Sequence, residues 1–360
     1  MDAVIVILPG DGIGPEVAAA GRQVLESVAE QFGHCFTLTE HAIGGAAIDA
    51  FGDPLPSGTE AACRAADAVL LGAVGGPKWS DPNAKVRPEQ GLLRLRAALG
   101  VFANLRPVKP HPQMIEAAPL KADRLVGVDL MFVRELTGGS YFGRKGRDDE
   151  GAFDECRYSQ HEIERVTDVA ARIARQRSGK ITQVDKANVL ETSRLWRGTV
   201  AQRVADRHAD ITVEHQLVDS MAMHLLTQPS RFDVILTANL FGDILTDEAA
   251  VLAGSIGLLP SASVGGERGG LYEPIHGSAP DIAGSGKANP YGTIASVAML
   301  LRHGLGLSEE ADAVEWAIDQ CLSAGVGTPD VFGSKGVSTT QATAAVLAVL
   351  AGSARQRAAA

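Results

Sequence analysis

"GDGIGPEV", residues 10–17, follows directly on the apolar run VIVIL of Val4–Leu8. A short run rich in β-branched residues reads as a buried strand. The spacing after it reads as a helix with Val17, Val24, Leu25 and Val28 on one face. Pro15 suits the first helical turn, where no backbone donor is needed. Three glycines at a strand-to-helix turn invite comparison with the dinucleotide fingerprint GxGxxG. The spacing differs: Gly10, Gly12 and Gly14 run GxGxG, and Pro15 stands where the third glycine belongs. That proline removes an amide that would face a pyrophosphate. Glu40, the acidic residue closing the next strand, lies further along than the fingerprint expects. The stretch therefore favours a tight turn into the first helix, one that can border a ligand, over a Rossmann phosphate cradle.

The alternation continues outward from this turn. SGTEAACRAA opens with a capping-box pattern, Ser57 and Glu60, and leads into the strand AVLLGAV. Ser159 and Glu162 repeat the pattern before a helix carrying Ile163, Val166, Val169 and Ile173, which Gly179 ends. ITQVDKANV, ITVEHQLVD and FDVILTANL read as strand ends followed by helices. Such β/α alternation predicts an α/β protein with a substantially parallel sheet. The proline-rich ANLRPVKPHP (103–112) reads as a crossing between domains. Residues 102–254 are expected to form a domain inserted between 1–101 and 255–360.

The bulk numbers narrow the class. A chain of 360 residues with 45% hydrophobic content can bury a large core, and a net charge of −10 disfavours a nucleic-acid or anionic-membrane surface. No apolar run reaches the length of a membrane span. The four cysteines form no CxxC pair, which suits free thiols in a reducing compartment. A cytoplasmic protein is expected.

Chemistry-bearing residues gather where strands are expected to end. Asp243 and Asp247 are four apart, so a helix puts both on one face, and Asp219 would complete an all-oxygen site for Mg²⁺ or Mn²⁺. Helix capping explains either aspartate equally well. Arg96, Arg106 and Arg134 carry planar guanidinium groups that suit a dicarboxylate, although each alone also reads as a surface ion pair. Lys186 follows a strand and can serve as a base where it is partly desolvated; Tyr141, in a glycine-rich turn, can donate a proton or simply pack. HExxH, GxSxG and GxxxxGK[ST] are all missing from the sequence.

These motifs, in order LPGDGIGPEV, GGPKW, FANLRPVK, VRELTGG, VDKANV, FGDIL, GLLPSAS and HGSAPDIAG, resemble the β-decarboxylating hydroxyacid dehydrogenases over nearly the whole length. The resemblance implies a two-domain fold of largely parallel mixed sheets with flanking helices, distinct from the Rossmann fold. It implies NAD held by Ile13 and the loop 276–290, with His276, Gly277, Ser278, Ala279, Asp281 and Asn289 as contacts. The Asp281 carboxylate would accept a ribose hydroxyl and repel a 2′-phosphate. It places Glu89, Leu92, Leu93 and Asn188 beside a substrate whose carboxylates Arg96, Arg106 and Arg134 hold. Leu92 and Leu93 favour an isopropyl group, and hence the leucine-biosynthesis branch, over the tartrate, D-malate and homoisocitrate branches. Tyr141 and Lys186 take the catalytic roles, and Asp219, Asp243 and Asp247 the metal. The resemblance further implies a homodimer in which Lys186 and Asp219 serve the neighbouring site, with an intersubunit arm at about 138–158.

Overall fold

The computed structural model describes residues 1–81, 84–265 and 269–358, with side chains to residue 352. The chain divides into two compact units, one of Met1–Val101, His111–Ala117 and 255–360, the other of Phe102–Pro110 and Ala118–Gly254. His111–Ala117, expected within the insert, groups with the first unit.

In chain order the first unit opens with β1 (Asp2–Gly10), α1 (Gly14–Phe32), β2 (Cys35–Glu40), α2 (Gly44–Phe51), α3 (Ser57–Ala65), β3 (Ala68–Ala73) and α4 (Pro88–Leu99). The second holds β4 (Ala103–Val108), α5 (Ala122–Leu125), β5 (Leu130–Glu135), β6 (Lys145–Arg147), β7 (Ala152–Asp154), α6 (Gln160–Arg175), β8 (Lys180–Asp185), α7 (Glu191–Arg207), β9 (Thr212–Leu217), α8 (Val218–Thr227), β10 (Val234–Thr237) and α9 (Asn239–Ala250). The chain then returns to the first unit with β11 (Pro260–Val264), β12 (Leu271–Pro274), α10 (Tyr291–Met299), α11 (Ser308–Ser323), α12 (Pro329–Phe332) and α13 (Thr339–Ala358).

The strands of the first unit run in the order β2-β1-β3-β12-β11, parallel except for β11 against β12. Every residue of β3 is buried. Its unbroken apolar run fits a parallel strand covered on both faces. Val17, Val24, Leu25 and Val28 of α1 are all fully buried. Each such aliphatic side chain contributes about 1.5–3 kcal/mol by leaving water.

The second unit runs β4-β5-β10-β8-β9, with β4 antiparallel to β5 and the rest parallel. Thr237 pairs with both Arg134 and Val184, and Asp185 pairs with Leu217. The carboxyl ends of β5, β10, β8 and β9 therefore share one edge, the edge at which open α/β sheets hold ligands. The glycine-rich stretch 138–158 contains the antiparallel hairpin β6–β7, with Phe142 and Phe153 exposed.

Local signals fared unevenly. Ser159 caps α6: its hydroxyl accepts the Glu162 N–H at 3.3 Å, and Glu162 accepts the Ser159 N–H at 2.7 Å. The Ser57 box does not form. Pro56 (φ −56°) takes the cap position, Ser57 becomes the first helical residue, and Glu60 pairs with Arg64 at 3.1 Å one turn on.

The opening turn packs backbone on backbone. Gly10 lies at φ +73°, and a Cβ there would sit 1.9 Å from the Ala73 carbonyl oxygen; Gly12 lies at φ +58°, 2.0 Å from the Ser278 oxygen by the same measure. Gly33, at φ +71°, has nothing within 4 Å of such a Cβ. Gly33→Ala is expected to cost about 1–2 kcal/mol for the left-handed backbone alone. Gly10→Ala is expected to cost about 1–3 kcal/mol more for the clash. Urea unfolding of the two variants measures the difference, and equal losses would show that the Ala73 contact yields freely.

Candidate active site

In the second unit, β5 presents Arg134 toward α9. Its Nε and Nη2 donate to Asn239 Oδ1 at 3.1 and 2.8 Å, and its Nη1 donates to Asp243 Oδ1. The Tyr141 hydroxyl donates to the other oxygen of Asp243 at 2.5 Å. Arg106, from β4, donates to Thr246 Oγ1 at 2.7 Å and lies 3.9 Å from Asp243 and 3.4 Å from Asp247. Asn239 is buried and donates to the Leu136 and Gly138 carbonyls at 3.0 and 3.1 Å, which fixes the chain leading to Tyr141. The four-residue spacing on α9 thus brings Asp243 and Asp247 to one face, together with both arginines and Tyr141.

The charges are strongly coupled. Burial pushes the Asp243 carboxyl up, but Arg134, the Tyr141 hydroxyl and Arg106 outweigh it and hold the group below the usual carboxylate range. Burial, followed by the hydrogen bond to and charge of Asp243, pushes Tyr141 up to about 12. Tyr141 is therefore a protonated donor at neutral pH. The Asp247 side chain is 68% exposed, which leaves its oxygens open to a ligand.

Lys186 and Asp219 meet elsewhere in the same unit. The Lys186 ammonium at the end of β8 donates to Asp219 Oδ1, in the first turn of α8, at 2.7 Å. That hydrogen bond lowers the pKa of Asp219. Asn188 is exposed in the loop between β8 and α7. Among the described residues of one chain, no three His, Cys, Asp or Glu side chains converge as metal ligands.

In the first unit the turn 10–14 seats the loop 276–290. Ile13 donates its N–H to the Ser278 carbonyl at 2.8 Å, and its buried side chain packs with Val17 and Ala288 beneath Ala279 and Ile282. Ala279 has φ +33°, alone among described non-glycine residues in being positive. Strain of this kind concentrates at ligand sites. His276 Nε2 is buried without a bonded partner, and burial lowers the pKa of the ring, keeping it neutral. Gly277 has open space where a side chain would stand. Asp281 is exposed. Asn289 turns inward: its Nδ2 donates to Asp330 at 2.9 Å and its Oδ1 accepts the Tyr291 N–H at 3.0 Å, so both ends of its side-chain amide are engaged within the unit.

On α4, Arg96 Nη2 donates to Glu273 at 2.8 Å, and its buried Nε has no bonded partner. Leu92 is half-buried against the core of the unit, Leu93 is half-buried, and Glu89 is exposed beside Gly75.

Comparison with known proteins bears on this geometry. The family model described as isocitrate/isopropylmalate dehydrogenase matches residues 4–346. The chain belongs to this family. It is 56% identical over 358 residues to a 3-isopropylmalate dehydrogenase of Rhodopirellula baltica, covering 98% of this chain and 100% of that one. It is 58% identical over 338 residues to one of Anaeromyxobacter dehalogenans, covering 92% and 96%. Its fold matches an isocitrate dehydrogenase crystal structure from Methylococcus capsulatus with a TM-score of 0.85 at 33% identity, covering 97% and 99%.

Within this isocitrate/isopropylmalate dehydrogenase frame, sequence reading missed the residues that hold others in place. The Asp11 carboxylate accepts the N–H groups of Gly45, Ala46 and Gly75 at 2.8, 2.7 and 2.8 Å, tying the turn to α2 and to the loop after β3. Its place between two glycines at a strand end is the one signal that could have marked it. Glu273 and Asn239, which hold Arg96 and Arg134, carry no such signal.

Burial acts on all four tyrosines of the chain, raising Tyr158, Tyr272 and Tyr291 as well as Tyr141. Absorbance near 295 nm is therefore expected to stay flat up to about pH 10.5, where free tyrosine would be more than half ionised. A step near pH 10 in the folded protein would contradict the burial of these hydroxyls.

Proposed function

We propose that the protein oxidises (2R,3S)-3-isopropylmalate, passing hydride from C2 to NAD and releasing the β-carboxylate as CO₂, to give 4-methyl-2-oxopentanoate in leucine biosynthesis. The observation that carries this reading is identity above one half, along nearly the whole chain, to relatives named for that reaction.

The donor set suits the cofactors of such a reaction. Asp243 and Asp247 offer hard oxygen ligands one helical turn apart, and Asp219 of the partner subunit would complete the set for Mg²⁺ or Mn²⁺. When bound, the ion would acidify the C2 hydroxyl and polarise the 2-oxo group. Lys186 of the partner subunit takes the hydroxyl proton, directly or through water. Arg106 and Arg134 hold carboxylates, and Asn188 contacts the substrate. Tyr141, kept protonated, delivers a proton to C3 after CO₂ leaves. In the first unit, Arg96 adds a carboxylate contact. Leu92 and Leu93 enclose the isopropyl group by apolar burial, and Glu89 repels a carboxylate in its place. The unpartnered His276 Nε2, the open Gly277 and the backbone of Ser278, Ala279 and Asn289 suit NAD, and the exposed Asp281 repels the extra phosphate of NADP.

Purified protein is expected to reduce NAD with 3-isopropylmalate at least about tenfold faster than with D-malate or isocitrate, and to stop in excess chelator. Equal or faster turnover of D-malate would replace this reading with the tartrate/D-malate one, and full activity in chelator would remove the aspartate metal site.

The homodimer is proposed on the exposed apolar face of α8 and α9, where Met223, Leu226, Leu240 and Ile244 lie open. Such a face marks an interaction surface. The described residues hold no helix long and apolar enough to cross a membrane, and a cytoplasmic setting suits the proposed substrate. Ile244→Lys is expected to shift the protein from dimer to monomer in sedimentation at micromolar concentration and to abolish turnover. An active monomer would sink the shared-site reading.

A further inference from the structure

The loop joining β8 to α7 carries Lys186, and every polar backbone group of its first two residues is fastened. The Lys186 N–H donates to Ser193 Oγ at 3.0 Å, and the Lys186 carbonyl accepts the Val189 and Leu190 N–H groups at 3.0 and 2.9 Å. The Ala187 N–H donates to Asp185 Oδ1 at 2.9 Å, and the Ala187 carbonyl accepts Arg194 Nε at 3.0 Å. Asp185, the last residue of β8 and 1% exposed, is itself gripped by Arg197 of α7 in a two-point fork, Nε to Oδ2 at 2.9 Å and Nη2 to Oδ1 at 2.8 Å. Three residues along one stretch of α7, Ser193, Arg194 and Arg197, thus hold the base of one lysine.

We infer that Asp185 and Arg197 are positioning residues for Lys186, which rests on the reading of Lys186 as the base. The fork has two consequences. It keeps a buried carboxylate from standing unpaired, and it leaves Asp185 Oδ1 aimed at the amide next to Lys186. A planar guanidinium fixes both carboxylate oxygens at once, which an ammonium cannot do. With the loop backbone locked, the Lys186 ammonium is placed by its side-chain torsions alone, and its far end is already set against Asp219 at 2.7 Å. Releasing the fork lets the loop shift. A shift of about 1 Å at a reacting group costs on the order of a hundredfold in rate. A strap that served folding alone would affect melting temperature and the binding of both substrates, and would have no particular link to turnover.

The test uses the full-length dimer with 3-isopropylmalate and NAD, comparing Arg197→Ala, Arg197→Lys and Lys186→Met with the parent. Arg197→Ala is expected to lower kcat on the order of a hundredfold and Arg197→Lys about tenfold, with both KM values within about twofold. Guanidinium ion at tens of millimolar, below its denaturing range, is expected to raise kcat of Arg197→Ala severalfold and to leave Lys186→Met inactive. A kcat for Arg197→Ala within about twofold of the parent overturns the inference. So does a loss that guanidinium does not relieve in a variant with the parental melting temperature. Should Arg197→Ala fail to fold, parental kcat in Arg197→Lys overturns it instead. Parental turnover by Lys186→Met removes the base reading itself, which keeps the two failures distinct.

Discussion

The arrangement of the second unit depends on one constraint: β5, β10, β8 and β9 run parallel and end level. Because Thr237 pairs with Arg134 on one side and Val184 on the other, residues just past each strand end are delivered to a common edge. Arg134 lies on the last turn of pleat in β5, Lys186 one residue beyond β8, Asp219 two beyond β9 and Asn239 two beyond β10. A slip of one residue in any pair would turn these side chains to the opposite face. The cluster then enforces its own charge balance. Arg134 is almost wholly buried, and a guanidinium in that position is tolerable only with acceptors on its donors, which Asn239 and Asp243 provide.

The first unit solves a different problem. Its loop 276–290 is seated on the opening turn by backbone packing, and the glycines at 10 and 12 exist because Ala73 and Ser278 approach too closely for a side chain. The glycines that look like a phosphate cradle therefore serve chain-to-chain contact, and Asp11 between them gathers three amides of its own chain.

Much of this was legible in the residues themselves. The continuous apolar runs and the helical patterns located β1, α1, β3 and α6, and the Asp243–Asp247 spacing placed both carboxylates on one face of α9. Ser57 misled because the helix begins one residue early: Pro56, extended at φ −56° and ψ 146°, stands at the cap and leaves Ser57 inside the first turn. Leu92 reads from the residues alone as a core position and from the resemblance as a substrate contact; the structure packs it, half-buried, on the core of the first unit. Glu273, Asn239 and Asp330 were illegible because they act across long sequence separations. A buried guanidinium or amide has to find a partner, and nothing local in the sequence says which segment supplies it.

The first unit is discontinuous, and this orders events during synthesis. β12 sits between β3 and β11, so the sheet begun by residues 2–73 is incomplete until residues 260–274 exist. A ribosome adding 5–20 residues per second needs on the order of ten seconds to make the intervening stretch 102–254. At the end of that interval the open edge of β3 still awaits its neighbour, while the second unit already has all of its strands. The emerging protein is thus expected to settle its middle first and its beginning last.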